Sequence, residues 1–461
     1  MTLLSFFQSI VRPIFGAFEP EEFKKFLRMG AVFAFIIGSY WTIRVLKNAL
    51  FCTLVEAAQL PYAKTASILF LVPLVMLYTK LFDIYKREKV FYIVSSVYGI
   101  LSLVFALIIA FTQSNCAAAG QPQNWTQWIV GYAFYLFVES YGSLLPALFW
   151  AIASDTTSPD SARKGFSFVV AIGQFGGIFL PYCVTGLPHW LGLQTSALSI
   201  LIAAVTIGLS ILFFKSFFNN TPSSLMVSYH GKNEKEEEKE QEPGFFEGLR
   251  LLFTHKYLLA IFAVVAFPDI IMTIVDLHFL SLASQTYSGT ALAHYMGWYG
   301  SSVNIFAFLF LIFGIGNITR LLGIGAALVL MPILYGIAIL GFTSWTSLGF
   351  LFILMASSKA VNYALNGPAI KQLYIPTTPD VRFKAQGWIE SFGTRTAKEA
   401  GTVFNFWLGP LQTQFGVVLG RAKHALFASY LGFAITFVWV FIALFLGKKY
   451  RKAIDDKKVV C

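Results

Sequence analysis

Charge is what this sequence has least of. Its 461 residues include 34 Lys and Arg and 23 Asp and Glu, 12% of the chain, about half the share of an ordinary soluble domain, which is roughly 25%. Hydrophobic residues make up 57%, among them 48 phenylalanines, and a water-soluble fold would have too few polar side chains to cover itself. A soluble enzyme is excluded. Cysteine is sparse too: Cys52, Cys116, Cys183 and Cys461 show neither C-x-x-C spacing nor a disulfide framework and read as small apolar residues. There is no G-x-x-x-x-G-K-[ST] phosphate loop, which excludes a pump that hydrolyses nucleotide by that device. No H-E-x-x-H, G-x-S-x-G or paired Cys/His pattern occurs either, so nothing calls for a catalytic residue, a metal or a cofactor. Acids and bases precede the first apolar run without a short cleavable segment, so no signal peptide is expected.

What is present is apolar sequence in long runs. A helix that crosses a bilayer needs about 20 such residues, and twelve runs qualify, near 26–54, 62–80, 90–112, 128–153, 166–187, 195–218, 256–283, 292–316, 321–342, 346–370, 386–409 and 424–447. The net charge of +11 sits in short clusters between these runs, a pattern of loops beside a membrane rather than of nucleic-acid binding. Of the 34 basic residues, only Lys64, Arg421 and Lys423 fall on one side and five inside the runs; all the others lie with the two termini. The positive-inside rule therefore expects both termini in the cytoplasm. The expected fold is an all-α polytopic membrane protein of twelve spans in two six-helix halves, 1–218 and 251–461, the second with a basic C-terminal tail. Residues 219–250 join them as a charged cytoplasmic linker carrying GKNEKEEEKEQEPG at 231–244, a composition that solvates rather than packs. SYGSLLPAL at 140–148 and NYALNGPAI at 362–370 share Tyr, Pro and Ala at a constant offset, at the fourth span of each half. Such a parallel repeat is the arrangement of major-facilitator-type transporters.

Ten charges lie where charge is expensive: Arg44, Lys47, Glu139, Asp269, Asp276, Lys359, Glu390, Arg395, Lys398 and Glu399. Exposed to lipid, they would cost roughly 25–35 kcal/mol together, so they must pair or face a wet cavity. In the first span Arg44, Lys47 and Asn48 share a helical face with Tyr40 one turn earlier. Two cations and an amide beside a ring suit a phosphorylated, ring-bearing ligand. In the eleventh span Glu390, Thr394 and Lys398 recur on one face, while Arg395 and Glu399 stand at i and i+4, the spacing of a structural ion pair. Lys398 is then the ligand-facing cation. Glu139 and Asp276 are single acids in apolar helices, which compensate the cations in the empty state or carry a proton. Asp269 follows Pro268 and is expected to cap the backbone groups that the proline frees. His278 and His294 are left outside the site as structural residues.

IGSYWTIRVLKNALF (37–51), YTKLFDIYKREKVFY (78–92), VESYGSLLPALFWAIASD (138–155), KAVNYALNGPAIKQLYIP (359–376) and IESFGTRTAKEAGT (389–402) together resemble the bacterial and plastid ATP/ADP translocases, which are distinct from the mitochondrial carriers. The resemblance spans almost the whole chain. It implies a multi-pass nucleotide transporter of the cell's inner membrane, in an intracellular bacterium, exchanging ATP for ADP by alternating access through a central cationic cavity. The implied partners are the nucleotides and the bilayer, with no nucleic acid, and the implied working unit is a monomer. The alternative is proton-coupled nucleotide import, or exchange of other nucleotides or NAD. The family's first-span Arg and Lys fall on Arg44 and Lys47, its fourth-span Glu on Glu139, its seventh-span acid on Asp276 and its eleventh-span Lys on Lys398. Phosphates would then meet Arg44, Lys47 and Lys398, and the base would meet Tyr40, Asn48 and Tyr141. Val45 and Asn48 stand where related members carry acids, and Asp276 is shorter than the family's Glu.

Overall fold

The computed structural model describes residues 18–114, 124–157, 159–226, 250, 252–312, 323–344, 347–366, 369–370, 373–374, 376–377, 389, 393–456 and 460. Glu390, Cys116, Cys461 and the acidic stretch 231–244 lie outside them. The described residues are helical with no strand: α1 (Pro20–Leu54), α2 (Leu60–Ile84), α3 (Arg87–Ser114), α4 (Trp125–Asp155), α5 (Pro159–Trp190), α6 (Ala197–Asn220), α7 (Lys256–Thr286), α8 (Gly289–Ile312), α9 (Gly323–Ser344), α10 (Leu348–Val361), α11 (Thr394–Asn405), α12 (Leu408–Phe415) and α13 (Val417–Asp455). Each of the twelve expected apolar runs contains a described helix. Among the described residues nine helices are long and apolar enough to cross a membrane, and α10 is a shorter apolar helix. Bare peptide groups cannot be hydrated inside lipid, so the helix is the form in which a single segment satisfies its own backbone there.

Packing divides the chain into two compact units. The first comprises 1–56, 66–233 and 287–304, with α1 at its centre against α4, α5 and α6. The capping box of Glu19 and Glu22, with Pro20 at the first helical position, starts α1, since it satisfies amide groups that have no acceptor within the helix. The seam between α1 and α5 is made by small residues. A Cβ on Gly176 would strike the Ala34 backbone, coming within 2.8 Å of its carbonyl carbon, so the helices approach backbone to backbone, where dispersion is strongest. Near one end of this unit the buried Lys25 ammonium donates to the carbonyls of Thr156 (2.5 Å) and Leu225 (2.8 Å). It thereby ties the segments after α4 and α6 to α1, as cations do at carbonyls without helical donors.

The second unit comprises 57–65, 234–286 and 305–461. Here α7 packs on α11, α13 and α10, and α9 packs on α13 and α10. Gly325 and Gly447 let α9 and α13 touch, since a Cβ on Gly447 would lie 2.9 Å from Gly325 Cα. Val361 ends α10 as an α-helix and the chain continues as a π-turn over Asn362–Asn366, within the segment NYALNGPAI. The extra residue per turn re-aims the chain there, a feature that gathers at functional positions. His278 and His424 are buried in this unit, joined Nε2 to Nδ1 at 2.6 Å.

Candidate functional site

In the first unit the geometry grows from α1. Its 3.6-residue turn sets Tyr40, Arg44, Lys47 and Asn48 along one stripe, and α4 lies against that stripe. Tyr40 lies flat on Gly142, where a Cβ would come within 3.1 Å of the ring. Only glycine leaves that ring its seat. The Lys47 ammonium forms an ion pair with Glu139 of α4 and sits 4.1 Å from the Tyr135 ring centroid. The lysine side chain is 6% exposed while that of Glu139 is 36% exposed, so the cation is sealed in and its carboxylate partner remains reachable. Both charges persist because each cancels the other's cost of leaving water. The Arg44 guanidinium lies 4.8 Å from the Trp41 ring centroid and 5.6 Å from that of Tyr40. Asn48, half-buried, follows one turn on.

Tyr141 does not join Tyr40 on an accessible face. It is fully buried, edge-on to Tyr98, with its hydroxyl donating to the Ile36 carbonyl at 3.3 Å. Its ring runs nearly parallel to that of Tyr40, at 11° and 6.5 Å. Tyr141 thus packs inside the unit beside Tyr40.

In the second unit α7 supplies two acids about two turns apart, hence on one side of the helix. Lys359 of α10 donates to both carboxylate oxygens of Asp276, at 2.7 and 2.8 Å. This two-oxygen grip adds Lys359 to the residues around Asp276, a partnership across 83 residues that helical spacing does not reveal. Asp269 faces Lys398 of α11 at 4.0 Å, which corrects the expectation that it caps its own helix. The Lys398 side chain is 58% exposed, against 13% for Lys359 and 6% for Lys47. Of these three lysines it is the one held loosely and open to an incoming anion.

The expected Arg395–Glu399 pair is not found among the described residues. Glu399 Oε1 instead accepts a hydrogen bond from Thr65 Oγ1 at 2.5 Å, and its other oxygen is buried without a partner. A base placed before an acid at i and i+4 is the weaker orientation of such pairs, so a neighbouring hydroxyl outcompetes it. Arg44, Lys47 and Glu139 thus gather in the first unit, and Asp276 and Lys398 in the second, joined there by Lys359 and Asp269. No group of three or more His, Cys, Asp or Glu residues suited to a metal occurs among the described residues.

One arrangement recurs. In the first unit an ion pair joins the first and fourth spans of a half, with the cation on α1 and the acid on α4; in the second an ion pair joins the first and fourth spans of the other half, with the acid on α7 and the cation on α10. The position repeats and the polarity inverts. The family model described as TLC ATP/ADP transporter matches residues 5–355. The chain belongs to the TLC ATP/ADP transporter family. Members similar to it include ADP,ATP carrier protein 1 of Rickettsia bellii, 24% identical over 97% of this chain and 97% of the relative. ADP,ATP carrier protein 1 of Rickettsia prowazekii is likewise 24% identical, over 98% of each chain. Among solved structures, a bacterial homologue of the iron transporter ferroportin in an inward-facing state superposes with a TM-score of 0.62 at 11% identity, covering 90% of this chain and 98% of that one. At that identity the likeness shows the fold alone, which is of the major-facilitator type. This family member is therefore a polytopic membrane protein built on a transporter plan.

Proposed function

We propose that this TLC family member exchanges ATP for ADP across the inner membrane of an intracellular bacterium, working as a monomer with both termini in the cytoplasm. The two six-helix halves, 1–218 and 251–461, alternate access to the substrate, and 219–250 tethers them. Arg44, Lys47 and Lys398 hold the phosphates, Tyr40 and Asn48 meet the base, and Glu139 and Asp276 balance cations while no nucleotide is bound. The observation that carries this reading is the half-exposed Lys398, set only loosely against Asp269 in a family whose relatives are named ADP,ATP carriers. A cation that is open to approach and not neutralised by a close carboxylate is available to a polyphosphate, whose several charges strengthen the attraction. The same charge makes the empty carrier reorient poorly, which is the requirement for exchange.

Competition tests the substrate class. With the protein in proteoliposomes, unlabelled ATP and ADP are expected to inhibit uptake of labelled ATP at similar concentrations. Adenosine, which lacks phosphate, is expected to need at least about 100-fold more, since loss of charged hydrogen bonds at about 1.5–3 kcal/mol each accumulates quickly. Equal competition by adenosine would remove phosphate recognition from the account.

A further inference from the structure

The indole of Trp41 is 9% exposed and wedged between two glycines of other helices. A Cβ on Gly177 of α5 would lie 3.2 Å from Trp41 Cδ1, and a Cβ on Gly300 of α8 would lie 3.4 Å from its Cε3. A Cβ on that same glycine of α5 would also lie 3.0 Å from Asn304 Oδ1, and Asn304 Nδ2 donates to the Gly300 carbonyl at 2.8 Å. The ring therefore has a built seat: glycine floors on two sides, with the buried Asn304 amide of α8 beside the α5 glycine. Above this seat, one helical turn along α1, the Arg44 guanidinium rests 4.8 Å from the indole centroid. Tyr40 stands edge-on to the indole at 6.2 Å and 60°. A guanidinium is planar and weakly hydrated, so an aromatic face holds its plane in one orientation.

From this geometry we propose that Trp41 is the positioning residue for Arg44 in nucleotide recognition: it fixes the plane of the guanidinium so that its paired N–H groups meet phosphate without first paying to be ordered. The proposal rests on the reading of Arg44 as a phosphate ligand and adds a residue that touches no substrate. Its physical content is preorganisation, since a long side chain that is already immobilised loses less freedom when it binds. A Trp face holds a cation better than a Phe face, and an aliphatic side chain does not hold it at all.

The test is uptake of labelled ATP and of labelled ADP by proteoliposomes containing wild type, Trp41→Phe, Trp41→Leu and Arg44→Ala, each first shown to be monodisperse in detergent. Trp41→Leu is expected to raise KM for ATP by about 5- to 30-fold, the range of a desolvated cation–π contact, with kcat little changed. The rise should be larger for ATP than for ADP, and Trp41→Phe should fall between Leu and wild type. A packing role alone would not rank the variants by aromatic face or the substrates by phosphate charge. If both Trp41 variants keep the wild-type KM while Arg44→Ala loses transport, the positioning role is wrong and Arg44 remains a phosphate ligand. If Arg44→Ala transports like wild type, the reading beneath the proposal fails with it. A fall in kcat at constant KM in both Trp41 variants would also overturn the proposal. Should Trp41→Leu not remain monodisperse, Trp41→Phe decides: an unchanged KM for ATP overturns it, and a raised one supports it.

Discussion

Lys398→Ala is expected to lower ATP uptake by about 10- to 100-fold, the loss of one or two charge-assisted hydrogen bonds to phosphate, and to leave the amount of folded protein unchanged. The separation of the two effects follows from geometry. The Lys398 ammonium is 4.0 Å from Asp269 and its side chain is 58% exposed, so the pair contributes little to stability, in the range of about 0–1 kcal/mol for exposed pairs. Deleting the lysine leaves Asp269, 20% exposed, without that cation, but a contact already as long as 4.0 Å compensates the acid only weakly, so little is lost. Lys398→Arg should recover part of the uptake, because charge is kept while the shape of the head group changes. Uptake assays on protein normalised by detergent chromatography check this. Wild-type uptake by the alanine variant would take Lys398 out of the site.

The opposite behaviour is expected at the buried pair of the same unit. Lys359→Met removes the ammonium that donates to both oxygens of Asp276 and strands the carboxylate among apolar helices. Breaking a fully buried pair costs about 3–5 kcal/mol. Asp276 keeps a third of its side chain exposed, so a loss of about 2–3 kcal/mol is expected here, seen as a fall in Tm on the order of 5 °C. Adding Asp276→Asn should restore most of that Tm, since no uncompensated charge remains; thermal unfolding in detergent measures both. A Lys359→Met protein that melts like wild type would mean that the pair is bathed in water and contributes nothing. Lys359 and Lys398 would then be distinguished only by transport.

The apolar runs were legible because lipid imposes a length of about 20 residues and a helical backbone, and α1, α4 and α7 lie where those runs were placed. The charges were legible by cost. Lys47 and Glu139 stood out in helices that otherwise avoid charge, but their pairing spans 92 residues, and helical periodicity carries no information at that range. Lys359 was counted among the costly charges and left out of the site because the grip on Asp276 depends on where α10 ends. The repeat of Tyr, Pro and Ala in the fourth span of each half indicated that the halves correspond. It could not show the inverted polarity, because the acid of α4 and the cation of α10 are different residue types. Arg395 and Glu399 looked paired by spacing, and the hydroxyl of Thr65, more than 300 residues away in sequence, took the carboxylate instead. Trp41 had a usable signal, since it precedes Arg44 by three residues and so shares its side of α1; an aromatic in a span full of aromatics gave no reason to choose it.

Exchange is the central claim, and loading the vesicle interior tests it most directly. Proteoliposomes are prepared either empty or filled with ADP, and the initial rate of labelled ATP entry is followed in each, with and without an acidic exterior. The account predicts rapid entry only when ADP is inside, efflux of ADP matching that entry, and no stimulation by the pH gradient in empty vesicles. Equal entry into empty vesicles, driven by external acid, would contradict it and make the protein a proton-linked importer.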